Sequence, residues 1–194
     1  LFNSPPHRLT RALANILILK NTKNIIDMAE IKNLLFDLGG VIVNINRDRC
    51  VKAYTEAGMP NANELLGVYK QSGIFLALEE GKVTPQQFRD EIRKHFTGEV
   101  SDDTIDWCFK QFLLGIPVER LRALEQLKQR YRIYILSNTN AIMFESIIKE
   151  YFEGDGHDIN YYADGVVVSY EELCCKPDAR IFMRCVEKFG IKPE

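Results

Sequence analysis

Leu34-Leu35-Phe36-Asp37-Leu38-Gly39-Gly40-Val41-Ile42-Val43 is an almost unbroken apolar run that carries one carboxylate and two adjacent glycines. Continuous apolar character, rather than alternation, is the pattern of a strand buried on both faces. It predicts a strand over residues 31–38. Two similar runs follow, Ile133-Tyr134-Ile135-Leu136 within Arg132–Ser137 and Val166-Val167-Val168. Between the first and second runs the period changes. Val51, Tyr54 and Ala57 share one face of a helix over 48–57, and residues 62–80 read as helix in two pieces broken near Gly73. Phe88, Ile92 and Phe96 recur every four residues as an apolar stripe. Ahead of them stands Thr84-Pro85-Gln86-Gln87, where Thr84 caps, Pro85 suits the first turn and Gln87 reaches back. Ser101-Asp102-Asp103 starts another helix, with Ile105, Phe109, Phe112 and Leu113 inward. Pro117 opens a further one, with Leu121, Leu124 and Leu127 inside. A helix over roughly 140–151 follows the second strand. Asp178 caps a last helix with Ile181, Phe182, Cys185, Val186 and Phe189 on one side.

Strand, helical block, helix, strand, helix, strand, helix is the resulting order. The second half has the βα rhythm of a mostly parallel sheet, so the fold class is α/β. The block over 47–115 interrupts that rhythm with helices only and reads as an insertion straight after the first strand. Its Tyr54, Tyr69, Phe75, Arg89 and Trp107 read mostly as core residues.

Three polar residues mark the strand ends. Asp37 ends the first strand, Ser137 ends the second, and Lys176 follows the third by a short loop. In a parallel α/β sheet these ends meet at one edge, where ligands bind. A lone carboxylate in an apolar run is costly unless it is paired or used. An acid, a hydroxyl and an ammonium at one edge form a phosphate-handling set. The carboxylate attacks phosphorus or holds Mg²⁺, the hydroxyl and nearby backbone N–H groups bind phosphoryl oxygens, and the lysine neutralises charge. Taken singly, Ser137-Asn138 reads equally as a cap on the following helix, and Lys176 as a solvated loop lysine.

The chain of 194 residues is 46% hydrophobic and 27% charged with a formal charge of −2, which gives a globular core and no basic footprint for nucleic acid. No apolar run is long enough to span a membrane. Cys50, Cys108, Cys174, Cys175 and Cys185 are odd in number and lack zinc spacing, as expected of a reduced, cytoplasmic protein. Residues 1–26 carry Arg8, Arg11, Lys20 and Lys23 but no acid, so residues 1–28 read as an extension outside the fold, with Met28 the expected start. Gly190-Ile191-Lys192-Pro193-Glu194 reads as a helix stop and turn, with a further strand expected beyond it.

At this point the sequence resembles the haloacid dehalogenase superfamily, in particular its small capped phosphatases. Phe36-Asp37-Leu38-Gly39-Gly40-Val41-Ile42 resembles the first motif and Leu136-Ser137-Asn138 the second. Ser169-Tyr170-Glu171 with Lys176-Pro177-Asp178 and Ile181-Phe182 resembles the third, and Leu78-Glu79-Glu80-Gly81-Lys82-Val83-Thr84-Pro85 resembles the cap's glycine turn and helix start. The resemblance implies a Rossmann-like core over 29–46 and 116–194, a helical cap over 47–115, and Mg²⁺-dependent hydrolysis of small phosphorylated metabolites, sugar phosphates among them, through an aspartyl-phosphate. It implies Asp37 as nucleophile and metal ligand, the Gly39 carbonyl as a second metal ligand, Ser137 and the Asn138 backbone on the phosphoryl group, and Lys176 holding that group and Asp37. Gly39 departs from the pattern, since most of these phosphatases carry a second aspartate there as general acid and base. The fourth motif, an acidic pair, is expected beyond Glu194. Leu173 stands where relatives often have glycine. Two alternatives remain, a metal-independent dehalogenase-type hydrolase and a non-catalytic module of the same fold.

Overall fold

The centre of the sheet is the strand that carries the run Ile133-Tyr134-Ile135-Leu136. In a computed structural model that describes residues 31–67, 73–154 and 156–191, a three-stranded parallel sheet has the order β1–β4–β5. Here β1 is Asn33–Phe36, β4 is Arg132–Ser137 and β5 is Gly165–Val168. Every residue of β4 except Arg132 is buried. Phe36 pairs with Ile135, and Ser137 with Val168, so the carboxyl ends of all three strands lie at one edge. The described elements belong to one compact unit, Asn33–Glu194. The proposed extension 1–28, Tyr69 and residues 192–194 lie outside the described residues.

The first strand is shorter than the 31–38 expected. Leu38 is the reason: its carbonyl accepts from the N–H groups of Val41, Ile42 and Val43 at 3.3, 2.8 and 2.9 Å, which wraps the chain into a tight loop. This loop leads to β2, Asn44–Ile45, which pairs antiparallel with β3, Leu113–Gly115. The expectation that 47–115 contains helices only is therefore corrected. Leu113 belongs to a two-stranded ribbon, not to a helix, because the preceding helix ends at Lys110.

Between β2 and β3 run α1 (Arg47–Glu56), α2 (Ala62–Leu65), α3 (Gly73–Glu79), α4 (Pro85–Arg93) and α5 (Asp102–Lys110). The capping chemistry follows the sequence. Thr84 accepts from the Gln87 N–H while the Gln87 side chain accepts from the Thr84 N–H, and Ser101 accepts from Thr104. Phe88, Ile92 and Ile105 are fully buried. Phe75, Phe88 and Phe109 pack ring against ring at 5.1–5.4 Å, a geometry worth about 0.5–1.5 kcal/mol per pair beyond area burial. Arg89 is used structurally, donating twice to Asp106. Trp107, expected in the core, is 55% exposed.

After β3 come α6 (Val118–Lys128), then β4, then α7, which starts at Ala141–Met143, passes through a π-helical turn at Phe144–Ile148 and resumes over Lys149–Glu153. Two short helices that the sequence reading did not anticipate follow, α8 (Ile159–Tyr162) and α9 (Ser169–Glu172), with β5 between them. The last helix is α10, Ala179–Phe189. It covers one face of the sheet, with Ile181 and Cys185 against Leu136 and Val167. Phe182, expected on that side, is instead 40% exposed. Phe189 stacks on Tyr134 at 4.7 Å, a contact that requires glycine at 165, since any β-carbon there would overlap the Phe189 ring.

The turn after α3 seats the helical block on α9. A β-carbon at Gly81 would run into the Tyr170 carbonyl oxygen and lie 2.8 Å from Leu173 Cδ2, and its φ of +64° also disfavours any side chain. Gly81→Ala should therefore cost about 2–4 kcal/mol, combining overpacking with left-handed strain. At about 2–4 °C per kcal/mol for a chain of this size, thermal unfolding should show a fall of about 5–15 °C. An unchanged midpoint would mean that this contact does not hold the block down.

Candidate functional site

Asp37 is the residue immediately after β1, and its backbone is fixed by the sheet on one side and the Leu38 turn on the other. Its Oδ1 accepts from the Leu38 N–H at 2.7 Å and faces Lys176 Nζ at 2.7 Å. Lys176 Nζ also donates to the Leu136 carbonyl at 2.9 Å. The ammonium thus bridges the ends of the two strands that carry Asp37 and Ser137. Both contacts to Asp37 fall on one oxygen. The side chain is 45% exposed, and neither contact uses Oδ2.

Lys176 lies in the loop between α9 and α10, which Leu173 enters in the left-handed conformation at φ 55°. The Asp178 N–H donates to the Cys175 carbonyl at 3.0 Å and the Asp178 side chain accepts from Arg180, which closes the loop and starts α10. The Lys176–Pro177 peptide is cis.

Ser137 and Asn138 follow β4. Ser137 is buried, and its Oγ donates to the Asn138 carbonyl at 3.3 Å. Asp37 and Lys176 are brought into contact; Ser137 shares their sheet edge without a hydrogen bond to either. The Asn138 side chain does not point to an open site. Its Nδ2 donates to the Lys176 carbonyl at 3.0 Å and its Oδ1 accepts from the Lys176 N–H at 2.7 Å. Neither residue caps α7; that role falls to Asn140, which accepts from the Met143 N–H at 3.1 Å.

Ser169 was not singled out for chemistry in the sequence. It is fully buried, donates to the Thr139 carbonyl at 2.9 Å and accepts from the Thr139 N–H at 3.0 Å. The signal was present, since a serine directly after an apolar strand is poised to bond a neighbouring loop, but the partner is 30 residues away in sequence.

Beside the pair opens a cavity of about 370 Å³ between the strand ends and the helical block. Gly39, Ser137 and Asn138 form its floor, whereas Asp37 and Lys176 themselves lie outside its wall. Phe75, Phe109 and Phe112 make the opposite side largely apolar, with Arg47 and Glu79 as its charged residues. Arg47 is held by α2 and the residues that follow it: Nε donates to the Gly67 carbonyl, and Nη2 donates to the Asn63 carbonyl and side chain at 2.7 and 2.9 Å.

Among the described residues no three His, Cys, Asp or Glu side chains cluster as a metal site. At the strand ends Asp37 supplies one carboxylate. A magnesium ion is commonly held by one or two carboxylates, with substrate phosphate and waters completing its shell. Asp37 fits that sparse donor set, and the strand ends do not resemble a dedicated all-protein cage.

A parallel α/β sheet with a carboxylate–ammonium pair at its strand ends, and helices inserted between β2 and β3, defines a protein that handles anionic ligands at the sheet's carboxyl edge. A sequence profile of the haloacid dehalogenase-like hydrolases matches residues 31–194. The chain belongs to this family. It is similar to the D-ribitol-5-phosphate phosphatase of Bacteroides thetaiotaomicron, 34% identical over 152 residues, which is 78% of this chain and 74% of that protein. Among solved structures it resembles a haloacid dehalogenase family enzyme of Bacteroides thetaiotaomicron, an aspartate-to-alanine variant in complex with magnesium and inorganic phosphate. The TM-score is 0.81 at 39% identity, covering 84% of this chain and 81% of the other. L-2-haloacid dehalogenase from Xanthobacter autotrophicus, with a TM-score of 0.56 at 17% identity over 84% of this chain and 67% of that one, shares the fold.

Proposed function

We propose that this chain is a Mg²⁺-dependent phosphatase of small hydroxylated phosphomonoesters, sugar or sugar-alcohol phosphates, with the helices between β2 and β3 serving as a cap. The observation that carries the reading is the Asp37–Lys176 contact of 2.7 Å at exposed strand ends beside a cavity sized for a small metabolite. The similarity to a ribitol-phosphate phosphatase supports the substrate class. The cavity's charged residues, Arg47 and Glu79, suit a hydroxylated chain better than an alkyl one.

Asp37 Oδ2 attacks phosphorus, the ester P–O bond breaks, and the alcohol departs with a proton; water then attacks the aspartyl-phosphate, releasing phosphate and restoring the carboxylate. Lys176 carries the charge that accumulates on the phosphoryl oxygens while keeping Asp37 Oδ1 occupied, which directs Oδ2 at the substrate. Ser137 and the backbone after it offer donors to the same oxygens. Magnesium, when bound by Asp37 and the Gly39 carbonyl, supplies further neutralisation of the phosphoryl charge. Gly39 offers no proton to the leaving group, so that proton comes from water or from the cavity wall.

No helix among the described residues is long and apolar enough to cross a membrane. All five cysteines are free and buried, and burial pushes Cys50 up to about 12 and Cys175 to about 11. Buried unpaired thiols suit a reducing cytoplasm.

A panel of ribitol 5-phosphate, other sugar phosphates and 2-haloacids, assayed with Mg²⁺ and with EDTA, tests the proposal. Phosphate release that stops on chelation is expected. Halide release insensitive to EDTA would favour the dehalogenase chemistry instead.

A further inference from the structure

We infer that Asn138 is a positioning residue for Lys176, acting through a two-way bond of its side chain to the lysine's own backbone, and that this side chain is not a ligand of the substrate. The inference rests on the proposed role of Lys176 at the phosphoryl group. Two hydrogen bonds carry it. Asn138 Nδ2 donates to the Lys176 carbonyl at 3.0 Å, and the Lys176 N–H donates to Asn138 Oδ1 at 2.7 Å. A carboxamide offers a donor and an acceptor side by side, and here they match the N–H and C=O of a single residue. The same lysine then extends Nζ to Asp37 Oδ1 at 2.7 Å and to the Leu136 carbonyl at 2.9 Å. Lys176 is thereby fixed at both ends, backbone by Asn138 and ammonium by the strand ends.

The surrounding loop shows the same allocation. Thr139 is held by Ser169 through its N–H and carbonyl, and Asn140 caps α7. The side chains of Asn138 and Asn140 and the backbone of Thr139 are thus all engaged in fixing the loop. For the Asn138 side chain to reach a substrate it would have to drop both bonds, leaving a part-buried N–H and carbonyl of Lys176 unpaired. The specific residue type follows. Aspartate keeps the acceptor but cannot donate to the carbonyl, and alanine does neither.

Misplacing a catalytic group by about 1 Å costs about 10²-fold, and supporting residues of this kind typically cost 10–100-fold. Asn138→Ala and Asn138→Asp should therefore each lower kcat/KM by about 10–100-fold toward ribitol 5-phosphate, with the loss falling in kcat. In a Lys176→Met background the same two substitutions should cost less than about 3-fold, because what they position is gone. Equal losses in both backgrounds, or a loss confined to KM, would overturn the inference. A crystal structure of the Asn138→Asp chain, whose side chain is isosteric and whose folding is checked by thermal unfolding, gives a readout independent of turnover. The ammonium is expected to have left Asp37; an ammonium still at 2.7 Å overturns the inference. Should the unaltered chain release no phosphate from any substrate, the functional proposal fails and this structural result still decides the role of Asn138.

Discussion

Asp37→Asn is expected to lower phosphate release by about 10⁴-fold or more while leaving the fold in place. The scale is that of removing the nucleophile of a covalent mechanism. Asparagine keeps the size of the side chain and retains an oxygen for the Leu38 N–H, now 2.7 Å from Oδ1. What it lacks is the second anionic oxygen that attacks phosphorus, and an amide is a poor nucleophile. Stability should respond differently. The Asp37–Lys176 pair is part-exposed, with side-chain exposures of 45% and 21%. An ion pair so accessible to water contributes about 0–1 kcal/mol. The midpoint of thermal unfolding should thus move by only a few degrees. Steady-state phosphate release and a melting curve on the same preparation check both halves. Activity above about 1% of the unaltered chain would show that another group performs the attack.

The sequence made the α/β class and the position of Asp37 readable because both rest on local signals. A continuous apolar run broken by one carboxylate and two glycines reads as a strand ending at a polar turn, although β1 is not buried on both faces as the run predicts: its residues are at most part-buried and Leu35 is 45% exposed. Helix starts at Thr84, Ser101 and Asp178 were readable for the same reason, since a cap bonds residues two or three positions away. The ribbon of β2 and β3 was not. Asn44 and Gly115 pair across the whole helical block, and strands of two and three residues leave no period to detect. Phe182 and Trp107 were misplaced because an aromatic residue reads as core by composition, and only packing decides which face it takes. The site shows the same division. Lys176 near Asp37 followed from topology, but the use of Asn138 could not be read, because its partner lies 38 residues on. Gly39 is a further case. A β-carbon there would approach only Ile45 Cγ2, at 3.8 Å, so space does not exclude the aspartate that the superfamily usually carries.

Lys176→Met is expected to lower kcat by about 10²–10³-fold, the range for losing one preorganised charge-stabilising group. Methionine approximates the length and apolar stem of lysine, so the loop Leu173–Asp178 keeps most of its packing and Asn138 keeps its backbone partners. The ammonium alone is removed, and with it the donor to Asp37 Oδ1 and to the Leu136 carbonyl. Two consequences separate this role from simple substrate binding. Charge on the phosphoryl oxygens and on the leaving group grows toward the transition state, so the loss belongs in kcat, with KM changed less. Arginine should restore little, because a planar fork cannot occupy the point between a carboxylate and a main-chain carbonyl that a compact ammonium fills. A Lys176→Met enzyme with unchanged kcat and a raised KM would reduce the lysine to a ground-state anchor, and full rescue by arginine would mean that net charge, not its placement 2.7 Å from Asp37, is what the reaction uses.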